Sequence, residues 1–181
     1  MKKLLLLLPV VAFFSCEKED PVIPNEEELI TTLVYTLTPD GGGDPVTFSF
    51  TDLDGDGGNA PVVVTEVLAS NTTYSGELSL LNESVSPAED ISDEVSEESL
   101  EHQFFYSFTG ADLSVTYNDS DANGNPIGLK TKVITGNASN GQITITLKHE
   151  PDKSASGVSD GQIANAGGET DIEVTFNVEI Q

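Results

Sequence analysis

Between residues 142 and 149 the chain reads QITITLKH. Ile143, Ile145 and Leu147 fall on one side of an extended strand and Gln142, Thr144, Thr146 and Lys148 on the other, a period of two that a helix cannot satisfy. The same alternation returns in LITTLVYTLT (29–38), VTFSF (46–50), VVVTEVLA (62–69), TYSGELSLL (73–81), FFYSF (104–108), LSVTY (113–117), LKTKVIT (129–135) and IEVTFNVEI (172–180). Nine runs rich in Val, Thr, Phe and Tyr, separated by Gly, Asn, Asp and Pro, predict an all-β fold. The expected architecture is an antiparallel β-sandwich, immunoglobulin-like or related, each strand burying one face.

One segment breaks the pattern. In SPAEDISDEVSEES (86–99) Ser86 and Glu89 have the spacing of a capping box, and Pro87 falls at the first helical position, where its missing N–H costs nothing. A short acidic helix near residues 87–99 is therefore expected, with Ile91 and Val95 as its apolar stripe. Glu89, Asp93, Glu97 and Asp90, Glu94, Glu98 stack as two acidic rows. The later members oppose the helix dipole and repel one another, so local helix energetics do not account for them.

The N-terminus, MKKLLLLLPVVAFFSC, has two lysines, an apolar run and a small residue before the only cysteine. This is the layout of a secretory signal (residues 1–15), too short and wrongly flanked to span a membrane. Its ending resembles the lipobox of bacterial lipoproteins, which implies an acylated Cys16 and a lipid anchor in the outer membrane. The following EKED resembles the export signal that sends Bacteroidota lipoproteins to the cell surface. Residues 16–28, charged and proline-containing, are expected to tether the anchor to a single domain over 29–181.

Removing the signal takes away two of the seven Lys+Arg and none of the 31 Asp+Glu, leaving 5 − 31 = −26 on the side chains. Arginine is absent from the chain. A surface this acidic repels phosphate backbones, which excludes nucleic acid as a partner class, and it attracts cations.

Two stretches have the opening of an EF-hand calcium loop, with oxygen donors at alternate positions and glycine at the sixth. One is DLDGDG, with Asp52, Asp54 and Asp56. The other is DSDANG, with Asp119, Asp121 and Asn123. Alternate donors converge on one hard cation. Neither loop has the closing Glu at the twelfth position, and the same residues also build turns that hold no ion.

Both histidines adjoin a carboxylate, as Glu101–His102 and His149–Glu150. Two imidazoles with one or more carboxylates form an acceptable set for Zn²⁺ or another borderline divalent metal, provided the two strand ends meet. The candidate ligands are Glu98, Glu101, His102, His149 and Glu150. Adjacent strand residues face opposite ways, so Glu98, one turn before His102, is a better partner for it than Glu101. The alternative is two rim histidines, each hydrogen-bonded to a neighbouring acid.

The lipoprotein start together with DLDGDGGNAPVV, NTTYSGELSLLNES, SPAEDISDE, EHQFFY, LKHEP and DGQIANAGGETDIEVTF resembles a set of small Bacteroidota lipoproteins labelled "type 1 periplasmic binding fold superfamily protein". That label implies two lobes of alternating strands and helices, whereas the strand pattern here predicts one sandwich. No nucleophile elbow, phosphate loop or dinucleotide fingerprint occurs, so a non-catalytic protein is expected. The first expectation is a surface binding module for divalent cations or a metal-containing ligand, accessory to an outer-membrane transporter. The second is a calcium-stabilised structural or adhesive surface protein, with carbohydrate binding as a minor variant.

Overall fold

The computed structural model describes residues 28–55 and 57–181; the expected signal, Cys16, the expected tether up to residue 27 and Asp56 lie outside the described residues. All nine expected strands form: β1 (Thr32–Pro39), β2 (Val46–Thr51), β3 (Val62–Thr65), β4 (Thr73–Asn82), β6 (His102–Thr109), β7 (Leu113–Tyr117), β8 (Lys130–Thr135), β9 (Ser139–His149) and β10 (Glu169–Ile180). A two-residue strand, β5 (Glu89–Asp90), is added at the edge of β4. The larger sheet runs β3-β2-β1-β4-β8-β7 with β5 beside β4, and the smaller runs β10-β9-β6. Every strand pair in both sheets is antiparallel.

The two sheets face each other because each carries one apolar face. Leu33, Tyr35 and Leu37 of β1 and Tyr74, Leu78 and Leu80 of β4 meet Ile143, Ile145 and Leu147 of β9 and Val174, Phe176 and Val178 of β10 in a single core. Aromatic pairs cross the gap, Phe48 to Phe176 and Tyr35 to Tyr106, each with ring centroids 5.7 Å apart. Alternation alone thus accounts for the sandwich.

The helix is shorter than the sequence implies. α1 spans Ile91–Glu97 and is capped by Asp90, whose carboxylate accepts from the Ser92 N–H. The capping box at Ser86 and Glu89 is not used. Glu89 and Asp90 pair instead with Asn82 and Leu81 of β4, which keeps them extended and delays the helix by one turn. Ile91 and Val95 enter the core as expected. β3 also ends early, at Thr65. There Glu66 turns to accept from the backbone and hydroxyl of Thr47, and Leu68 crosses to bridge Ile180.

The outer face of the small sheet is covered at one end by residues 151–168. Val158 and Ala166 pack on Phe105, and the buried Gln103 amide donates to the Val158 carbonyl. Consecutive residues His102 to Phe105 are therefore all buried, even numbers in the sandwich and odd numbers under this loop.

Gly76 sits where β4 passes the buried hydrogen bond between Tyr35 Oη and Thr131 Oγ1, 2.7 Å long. A Cβ at Gly76 would stand 2.4 Å from the threonine oxygen and 2.7 Å from the tyrosine oxygen. Gly76→Ala is expected to destabilise the fold by about 1–3 kcal/mol in urea unfolding. Tyr35→Phe in the same background should recover part of that loss, since it removes one of the two crowded oxygens.

Candidate metal centre

The antiparallel register of β6 and β9 places His102 directly opposite His149. Both are buried, and their rings lie 4.6 Å apart between centroids. Two carboxylates complete the group. Glu28 Oε1 stands 2.7 Å from His102 Nε2, and Glu28 Oε2 stands 3.8 Å from His149 Nδ1. Asp171 Oδ1 lies 3.8 Å from the same His149 nitrogen. One ligand atom from each of Glu28, His102, His149 and Asp171 lies within 4.8 Å of all the others.

Each residue arrives by a different route. Asp171 owes its place to a β-bulge: Thr170 pairs with Lys148 and Ile172 with Leu147, leaving Asp171 as the extra residue. Plain alternation through Val174, Phe176 and Val178 puts Asp171 on the outer face, and the bulge turns it inward, where its side chain is fully buried. Glu28 comes from the segment entering β1, which is held by Thr31 donating its N–H to the Leu81 carbonyl. The tether expected to run to residue 28 thus gives up its last residue to the buried site.

His102 Nδ1 lies 3.2 Å from the Glu98 carbonyl, a pure acceptor, so this nitrogen carries a proton. Nε2 faces Glu28, but the carboxylate oxygen lies off the line of a ring N–H, and the close contact is not an aligned hydrogen bond. A lone pair and a carboxylate oxygen at that distance repel unless a proton or a metal ion sits between them. A histidine fixed by its other nitrogen on a carbonyl is the usual arrangement of a metal ligand.

Burial pulls the His102 pKa down, but the Glu28 carboxylate, the Glu98 carbonyl and the charge of Asp171 together raise it above its ordinary 6.5. For Glu28 burial pushes upward, and His102, its own backbone N–H and His149 outweigh that, lowering it below 4.5. Glu94 is raised, first by its partial burial and then by the charges of Glu28, Glu98 and Glu89. The acidic rows on α1 do repel, as their spacing requires.

Of the residues proposed from sequence, His102 and His149 are brought together. Glu98 contributes its backbone carbonyl, not its carboxylate. Glu101 and Glu150 stand on the other side of His149, with Glu101 Oε2 4.0 Å from Nε2, and these three form a second group of ligand atoms within 4.8 Å. Glu28 and Asp171 are not among the residues proposed from sequence. Glu28 was hidden in an acidic run, and a bulge leaves no mark in the alternation.

The calcium-like loops resolve differently. Asp52 Oδ1 accepts from the Gly55 N–H, and Asp54 Oδ2 accepts from the backbone and amide of Asn59, as in a self-contained turn. Asp56 lies outside the described residues. In the second loop Asp119 accepts from the backbones of Gly128 and Lys130, and Asp121 Oδ1 from those of Asn123 and Asn125. Asp121 Oδ2 is 3.1 Å from Lys153 Nζ, a buried ammonium that also donates to the carbonyls of Ser99 and Pro126. A lysine head supplies the positive charge there, and Asn123 contributes a backbone N–H. Asp119 and Asp121 thus have protein partners for their oxygens, and Asn123 contributes its backbone to the turn.

Comparison of the chain with protein-family models, with curated proteins and with solved structures gives no match.

Two expectations follow. In metal-free protein the Glu28–His102 contribution to stability is whole between about pH 4.5 and 6.5. It is lost as pH rises through the raised His102 pKa and as pH falls through the lowered Glu28 pKa. Urea midpoints of the wild type and Glu28→Gln across pH 3–9 should converge at both ends; a constant gap would show that the pair does not titrate. Asp121→Asn should cost about 3–5 kcal/mol by leaving Lys153 buried without its counter-charge, and adding Ca²⁺ should not restore it.

Proposed function

We propose that this chain is a non-catalytic divalent-metal-binding module, held at the outer face of the outer membrane by a lipid on Cys16. The ion is held by Glu28, His102, His149 and Asp171. The observation that carries this reading is the burial of two carboxylates against two imidazoles with all four ligand atoms mutually within 4.8 Å. With neutral imidazoles the group carries two negative charges out of water, an expensive arrangement that a single divalent ion cancels.

Two nitrogens and two carboxylate oxygens suit Zn²⁺ or a similar borderline metal. Ca²⁺, which takes six to eight oxygens, suits them poorly. The lipobox-like start, the surface-export resemblance and the charge of −26 on the mature side chains (5 − 31) support a role in gathering cations at the cell surface. An outer-membrane transporter is the partner that such a position implies.

A second reading has its own support. A set of four buried protein donors leaves no open position, as in structural sites. In that case the ion braces the entry of the chain into the domain, because Glu28 precedes β1 of the large sheet while the other three ligands belong to the small one.

Thermal unfolding of chelator-treated protein tests the site. Zn²⁺ should raise the midpoint, equivalent to about 2.7 kcal/mol at a hundredfold excess over Kd, and Ca²⁺ at the same concentration should not. The rise should vanish in His102→Ala/His149→Ala. A wild type indifferent to Zn²⁺ would remove the metal from the account. Rapid exchange of bound Zn²⁺ with free ion would favour cation capture, and exchange only on unfolding would favour the brace.

A further inference from the structure

We propose that Glu101, His149 Nε2 and Glu150 form an outer cation site through which the buried site is loaded; this rests on the metal reading above. His149 is the only residue shared by the two groups of ligand atoms. Its Nδ1 faces the inner carboxylates, 3.8 Å from both Glu28 and Asp171, and its Nε2 faces Glu101 at 4.0 Å. The imidazole stands as a wall between a buried group and an exposed one.

The burial of the ligands gives the route its direction. Glu101 is about half exposed and Glu150 is exposed, whereas the inner four side chains are at most 4 % exposed. The other approach is a cleft of about 440 Å³ lined by Glu28, Asp171, Phe50, Leu53 and the Asp52–Gly55 turn. On that side Glu28 Oε2 and both oxygens of Asp171 are shut off from solvent. A cation arriving through the cleft therefore finds three of the four carboxylate oxygens of Glu28 and Asp171 closed to it. A cation arriving at Glu101 and Glu150 meets two solvated carboxylates and then an imidazole nitrogen of the inner group's own histidine.

The backbone is built to hold the outer trio together. The Glu150 N–H donates to the Glu101 carbonyl, and Glu150 adopts a left-handed φ of 47° that turns the chain at the end of β9. Gly168 lies against this turn, where a Cβ would fall 2.1 Å from the His149 carbonyl oxygen. Transfer inward changes no oxidation state. The ion leaves Glu101, Glu150 and His149 Nε2 for Glu28, Asp171, His102 and His149 Nδ1, the imidazole swinging aside to let it pass and its ring proton moving from Nδ1 to Nε2.

Exposed carboxylates on an entry route act on association rate and its salt dependence more than on the final affinity. The test is rapid mixing of metal-free full-length chain with Zn²⁺ carried by a fluorescent zinc indicator, comparing wild type with Glu101→Gln/Glu150→Gln. The expected result is association slowed about tenfold and less salt-dependent, with the dissociation rate falling in step so that Kd is unchanged. An unchanged association rate would overturn the route. A loss of affinity through faster dissociation would also overturn it, making these residues ligands of the held ion. Glu101→Lys should slow loading further at equal Kd. A wild type that takes up no Zn²⁺ would sink the inner site and the route together, an outcome separate from either of the others.

Discussion

The antiparallel register between β6 and β9 decides everything that happens at the site. It is set by Phe104 opposite Leu147, both fully buried, with Tyr106 opposite Ile145 and Phe108 opposite Ile143 following in step. A slip of one residue would turn each of these side chains to the other face, so the hydrophobic effect holds the register far more firmly than any contact between histidines could. The facing of His102 and His149 is the same register carried one pair further. Glu28 and Asp171 are then fitted around a fixed imidazole pair.

Burying that pair beside two carboxylates runs against the preference that shapes the rest of the domain. Elsewhere the acidic residues stay in water or accept backbone hydrogen bonds, as Asp119 and Asp121 do. Lys153 shows the protein's usual way of stabilising a buried carboxylate, with one ammonium engaging Asp121 and two carbonyls. No lysine reaches the histidine cluster among the described residues, and the chain has no arginine. On His102 the fixed proton on Nδ1 leaves Nε2 as the atom where a second proton and a bound ion would compete.

The sandwich was legible because it depends on a period of two, and that period is written plainly in β1, β4, β8, β9 and β10. The helix was legible in its stripe, Ile91 and Val95, but not in its start, since the pairing of Glu89 with Asn82 is a tertiary contact that overrides a good local cap. The histidines could be named from sequence but their meeting could not, because it depends on which strands neighbour each other. Asp171 was out of reach for a different reason. A bulge reverses the facing of one residue without altering composition, and Asp171 reads as an ordinary outward-facing acid until Thr170 and Ile172 are seen to pair with consecutive residues.

The acidic loop motifs carry a lesson that bears on the site itself. Asp52 to Gly55 and Asp119 to Asn123 have the donor spacing of an ion loop, but spacing fixes only where oxygens sit along the chain. What fills their lone pairs is a matter of tertiary structure: backbone N–H groups, an asparagine amide and one lysine do so here. The histidine cluster is filled differently. His102 Nε2 is turned toward a carboxylate with no aligned donor between them, in a protein whose surface charge concentrates cations around it. On the metal-binding proposal, a site closed enough to hold an ion tightly is also closed to diffusion, so capture there would demand an outer foothold. Glu101 and Glu150, across the His149 ring, are the carboxylates so placed.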